Sequence, residues 1–181
     1  MDALTIPLSN RLMALTAPHA AAGFMLELAA RLAVSDQLRV LDGGNRFNVY
    51  PVARAVRRRT ADMKQALQRV CLARAFTCYQ MLALLRETPQ DGMPVLVIDI
   101  LATFYDDNVD LLESQRLLAA CIPHLRRLSQ RAPVVVSLKL PTRLSAPKIV
   151  LVRMLEAVAG AAWQLEALPA PKMHTLWGEE V

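Results

Sequence analysis

Pro94-Val-Leu-Val-Ile-Asp-Ile100 is the segment on which the fold turns. Its apolar residues are continuous and mostly β-branched. A half-exposed strand would alternate apolar with polar. An unbroken run belongs to a strand covered on both faces, as in a parallel sheet. Pro133-Val-Val-Val-Ser-Leu138 reads the same way, and Arg11-Leu-Met-Ala-Leu-Thr16 is a shorter run closed by Pro18. Gln37-Leu-Arg-Val-Leu-Asp42 is stopped by Gly43-Gly44-Asn45, and Val70 to Ala75 is a further strand. Between these runs the apolar residues recur at helical spacing: over 20–34, 51–59, 60–67, 77–86, 111–130 with an interruption at Pro123, and 148–158. Thr77 is placed to cap its helix, and Asp110 to meet the positive end of the next one. Trp163 to Leu168 alternates, and His174 to Trp177 is expected to pair with it antiparallel across the Pro169–Pro171 turn.

Strands alternating with helices predict an α/β fold: a mainly parallel, twisted sheet with helices on both faces, closed by a C-terminal antiparallel hairpin. Residues 11–181 are expected to form one domain. Residues 1–10 are expected to be an arm, either disordered or docked through Ile6 and Leu8.

The 181 residues are 54% hydrophobic, with a mean hydropathy of +0.28, which excludes a disordered chain. No apolar run reaches the roughly 18–20 residues of a membrane span. Three cysteines without C-x-x-C spacing argue against a disulfide framework and a zinc ribbon, so a cytoplasmic protein is expected. His19, His124 and His174 lie too far apart in sequence for a ligand motif. Net charge is +5, in a basic–acidic–basic layout: Lys and Arg dominate 1–90 and 126–181, Asp and Glu dominate 91–125. Such a layout suits a polyanion face or a charged subunit contact.

Several stretches, in order, resemble the RecA/RadA recombinase core: Leu41-Asp-Gly-Gly-Asn-Arg-Phe47, the kernel Ala73-Arg-Ala-Phe76 followed by Gln80, Pro94-Val-Leu-Val-Ile-Asp99 as a Walker B strand, and Ala132-Pro-Val-Val-Val-Ser137. The resemblance implies a RecA-like three-layer sandwich with the third, fourth and fifth strands side by side. It also implies ATP chemistry, and the residues for that chemistry are missing. Where the phosphate loop G-x-x-x-x-G-K-[ST] belongs, the chain reads Ala17-Pro-His-Ala-Ala-Ala-Gly-Phe24. Ala17 and Ala22 replace the glycines, Gly23 replaces the lysine and Phe24 the metal-binding hydroxyl, while Pro18 fits the family. Gly44 stands where the family has its catalytic glutamate. Asp99 matches the Walker B aspartate, or serves as a structural acid bonding a neighbouring N–H. Lys139 falls at the family's polar sensor position.

The reading this supports is a pseudo-ATPase without cofactor. It would act as a recombination or repair accessory that binds a RecA-type recombinase, another repair protein or itself. Alternatives are an SOS-response interaction protein of the SulA or ImuA kind, and an ATPase with an unorthodox site. Candidate DNA or phosphate contacts are Arg54, Arg57 and Arg58 on one helix face, and Lys139, Arg143 and Lys148 around the loop that follows the fifth strand. The latter three are also candidates for a group donated in trans.

Overall fold

The computed structural model describes residues 11–142 and 146–165. Six strands form one sheet: β1 (Leu12–Thr16), β2 (Leu38–Asp42), β3 (Val70–Arg74), β4 (Val95–Ile98), β5 (Val134–Leu138) and β6 (Ala161–Gln164). Their order across the sheet is β3-β2-β4-β5-β1-β6, and every neighbouring pair is parallel. Six helices supply the crossovers: α1 (Ala22–Ser35), α2 (Val49–Arg57), α3 (Met63–Gln68), α4 (Cys78–Glu87), α5 (Leu111–Ser129) and α6 (Ile149–Glu156).

Side chains of the central strands are divided between two cores by the pleat. Val95 and Val97 join Leu12, Leu41, Val134 and Val136 beneath α4, α5 and α6. Leu96 and Ile98 join Met13, Leu15, Leu38, Val40 and Val135 beneath α1, α2 and α3. Both cores draw on the same short strands, because alternate residues of a strand point to opposite faces. The continuous apolar runs at 95–98 and 134–138 follow from this.

The starts of α2, α3, α4 and α5 are held by side chains. Asn48 accepts from Tyr50 N–H, Asp62 from Gln65 N–H, Thr77 from Gln80 N–H and Asp110 from Glu113 N–H. Each satisfies a donor that has no partner inside its own helix. Helix α5 runs through Pro123 rather than breaking there. Proline removes only the bond to the carbonyl four residues earlier, and both Ala119 and Pro123 lie on the exposed face, where water can replace it.

One expectation about the strand order is corrected. The third strand does not adjoin the fourth, since β2 lies between them and β3 is an edge. After the crossover through α2 and α3 the chain reaches the outside of β2, and α4 carries it back to β2's other side. Edge placement fits the residues of β3, of which Cys71, Leu72 and Arg74 are exposed. The strand after α6 begins at Ala161, ahead of the alternating stretch, and pairs parallel with β1. Helix α6 returns the chain to the end of the sheet where every other strand begins, and Gly160 N–H donates to Leu12 O at 2.8 Å. The proposed partner strand at His174–Trp177 lies outside the described residues, as do the arm at 1–10 and Arg143.

Val40 and Leu72 are register partners across β2 and β3, fully buried and 41% exposed respectively. Leu72→Lys is expected to change stability by less than about 0.5 kcal/mol. Val40→Lys is expected to remove more than about 4 kcal/mol, because it buries an unpaired ammonium. Urea denaturation of both variants checks this, and equal losses would contradict an edge position for β3.

Candidate functional site

The turn between β1 and α1 is built from small residues packed inward. Ala17 N–H donates to Leu138 O at 3.0 Å and Ala20 N–H to Ala17 O at 3.1 Å, while Ala22 N–H bonds His19 O. Pro18 has no N–H to offer. Ala17, Ala20 and Ala21 are buried. His19, Ala20 and Ala21 all take left-handed backbone, with φ of 51°, 52° and 49°. For L residues this costs roughly 1–2 kcal/mol each, so the surrounding packing must hold the turn. Phe24 is half-buried against the core under α1, and the ring turns toward that core. Gly23 is exposed, with open space where a Cβ would stand.

Beside this turn lie two buried carboxylates at the ends of β2 and β4. Asp42 accepts Arg46 N–H and Phe47 N–H, both at 2.9 Å, and Arg74 Nε at 3.2 Å. Its oxygens are therefore occupied in folding the 43–47 loop. Asp99 sits in left-handed backbone at the end of β4, with φ 50°. Its N–H donates to Ser137 Oγ at 3.1 Å, and its Oδ2 accepts Arg46 Nε at 3.2 Å. Oδ1 has no hydrogen-bond partner among the described residues. Burial pushes the Asp99 carboxyl above the usual aspartate range; Lys139 and Arg46 pull it back only in part.

The glycine pair follows from this crowding. A Cβ on Gly44 would stand 2.6 Å from both Cβ and Oδ2 of Asp99, and one on Gly43 would stand 2.9 Å from Asp99 O. The place where the resemblance expects a glutamate therefore has no room for a side chain unless Asp99 moves.

A cleft of about 540 Å³ opens at the carboxyl ends of β1, β5 and β6, lined by Thr16, Ala17, Pro18, His19, Arg46, Lys139, Leu140, Gln164 and Leu165. Crossovers leave β1 and β5 toward opposite faces of the sheet, and such switch points are where open α/β sheets form ligand crevices. Thr16 Oγ1 donates to Glu156 Oε1 of α6 at 3.0 Å, which fixes one wall. The cleft brings together Ala17, Pro18 and Lys139 from the sequence reading. It adds Arg46, which lies in the Leu41–Phe47 stretch of the resemblance but was given no role there. Gly44 and Asp99 sit next to Arg46 without lining the cleft.

Gly23 faces elsewhere. It shares a hollow of about 520 Å³ with Glu27, Asn48, Tyr50, Arg54 and Arg58. Arg58 lies 3.6 Å from Glu27, Arg59 also pairs with Glu27, and Arg57 is exposed beside them.

Lys148 is corrected as a phosphate contact. It is buried, and its Nζ donates to the carbonyls of Phe104, Asp106 and Val109 at 2.8, 2.7 and 2.9 Å. All three ammonium donors are occupied in clamping the segment after β4. Cys78 and Cys121 are core residues, burial pushing the Cys121 thiol up to about 12, whereas Cys71 is exposed on the edge strand. Among the described residues no group of three or more His, Cys, Asp or Glu is placed to hold a metal, and no helix is long and apolar enough to cross a membrane.

No protein-family model matches the chain, and a search of the curated proteins returns no match.

Two outcomes follow from these contacts. Lys148→Met is expected to cost about 2–4 kcal/mol in urea denaturation, since it leaves buried carbonyls unpaired. Asp99 has a folded pKa above its ordinary 3.8, so the folded state holds the proton more tightly. Its contribution to stability therefore falls as pH rises from about 4 through the folded value. Asp99→Asn, a residue that tolerates left-handed backbone, should gain stability relative to the wild type as pH rises across that window. Parallel curves for the two proteins would contradict the upward shift.

Proposed function

We propose that the protein is a RecA-like domain that does not hydrolyse ATP and works by binding, as a recombination or repair accessory. The observation that carries this reading is the Arg46–Asp99 pair at the end of β4. In the resemblance, that aspartate acts on Mg²⁺ through water. Here a guanidinium sits on Oδ2 and Oδ1 is buried, so a hydrated metal would meet a protein cation beside the carboxylate and little open space at its other oxygen.

Three further features agree. The N–H groups of Ala17, Ala20 and Ala22 bond carbonyls of the protein, so they are not free to wrap a phosphate. Gly44 packs against Asp99, which leaves the position of the general base without a side chain. Asp42 is saturated with hydrogen bonds and is no substitute. Positioning and electrostatic stabilisation are most of phosphoryl-transfer catalysis, and both are lacking in this arrangement. The strand order counts against one expectation of the resemblance, since β3 does not lie beside β4; the reading rests on the compared site residues, which lie on or after β1, β2, β4 and β5. Of Lys139, Arg143 and Lys148, the candidates for a group donated in trans, Lys139 is the described residue that lines the cleft.

Calorimetric titration with ATP and Mg²⁺ is expected to show no binding tighter than about millimolar; micromolar affinity would overturn the reading. Pull-down from the native lysate is expected to retain a RecA-type recombinase or another repair protein. Retention of a tubulin-like division protein or a translesion polymerase subunit would favour the SulA- or ImuA-like alternative.

A further inference from the structure

The cleft at the ends of β1, β5 and β6 holds more chemistry than the accessory reading uses. Its floor is fixed. Ala17 N–H donates to Leu138 O at 3.0 Å, and Tyr105 Oη donates to Lys139 O at 2.9 Å, so the backbone that carries Lys139 is anchored to two neighbouring segments. Pro18, Leu140 and Leu165 give the cleft apolar walls, and its volume of about 540 Å³ is that of a small-molecule pocket. Such pockets are mostly apolar, with a few polar groups that fix the ligand's orientation.

Arg46 and Lys139 line it as cations. Arg46 is held by its backbone N–H on Asp42 and by Nε on Asp99, while Nη1 and Nη2 have no hydrogen-bond partner among the described residues. A guanidinium already held through Nε offers its remaining donors at little entropic cost. Lys139 is half-buried, and its Nζ makes no hydrogen bond or ion pair among the described residues. Both cations lie close enough to Asp99 to lower its pKa, so they converge on one end of the cleft.

Charge balance sets the kind of ligand. Asp99 offsets Arg46, which leaves the charge of Lys139 over. Glu156 accepts Thr16 Oγ1 at 3.0 Å and adds a negative charge behind that wall. One surplus cation suits a monoanion, whereas a triphosphate brings several charges into a site already bordered by two carboxylates. A carboxylate accepts from a guanidinium fork and an ammonium together. The cleft also lies apart from the positions that replace a phosphate loop's lysine and hydroxyl: Gly23 opens on the hollow beside α2, and Phe24 turns into the core.

We propose that this cleft binds a small organic monocarboxylate with an apolar body. The carboxylate sits at Arg46 and Lys139, and the body lies against Pro18, Leu140 and Leu165. The inference goes beyond the accessory reading, and each can fail alone: that reading fails on tight ATP binding, this one on the absence of carboxylate binding.

Amide NMR titration of the full chain with naphthoate, and separately with the neutral naphthamide, tests it. Naphthoate is expected to bind saturably with a Kd below about 1 mM, shifting the amides of Ala17, His19, Lys139 and Leu140. Naphthamide is expected to bind roughly tenfold more weakly, because it forfeits the charge-assisted bonds. Lys139→Gln should lose roughly tenfold in affinity for naphthoate with an unchanged thermal melt, and Lys139→Arg should stay within about threefold of the wild type. No saturation by about 10 mM, equal affinity for acid and amide, or a Lys139→Gln variant that binds like the wild type would overturn the proposal. So would inorganic triphosphate binding the same amides more tightly than naphthoate, since the lining would then favour several charges over one.

Discussion

Arg46 ties together the two carboxylates that end the central strands. Its backbone N–H bonds Asp42 at the end of β2, and its side chain bonds Asp99 at the end of β4. Both acids are fully buried. Buried carboxylates are costly unless paired and hydrogen-bonded, so the loop from Gly43 to Phe47 must fold back over the strand ends to supply donors. Arg74 completes the arrangement from the edge strand, bonding Asp42 and the carbonyl of Phe47. The shape of this end of the sheet follows from that need.

The same need shapes the cleft. Bringing β2 and β4 close enough to share Arg46 leaves no room for side chains at positions 43 and 44. On the other side, the turn after β1 fills its space with alanine methyl groups and directs the N–H groups of Ala17, Ala20 and Ala22 at the protein's own carbonyls. What is left open is an apolar-walled crevice with Arg46 and Lys139 on its lining. Arg46 already bonds the Asp99 carboxylate, while Lys139 adds a positive charge to the lining.

Much of this architecture was legible beforehand. Apolar runs of four or five residues located β1, β4 and β5, because a strand covered on both faces cannot alternate. The caps at Thr77 and Asp110 were legible because a short polar side chain before an apolar run has one evident donor to satisfy. The place of β3 was not. Edge and centre differ by which neighbour the crossover reaches, and the local sequence of a strand records only how much of it is covered. The direction of β6 was hidden for a related reason: alternation reports a half-exposed strand and is silent on whether its neighbour runs the same way.

Individual cations show the same limit. Lys148 and Arg46 look alike in sequence, as single basic residues near loop ends. Packing buries one under three carbonyls 39 to 44 residues away and brings the other to a carboxylate 53 residues away. The residue order by itself determined the alternation of strand and helix and the absence of phosphate-loop residue types from the turn after β1, since both depend on neighbours close along the chain. Only the tertiary structure decided which charges are paired and which remain exposed, because a charge finds its partner through space and the partners lie far apart along the chain.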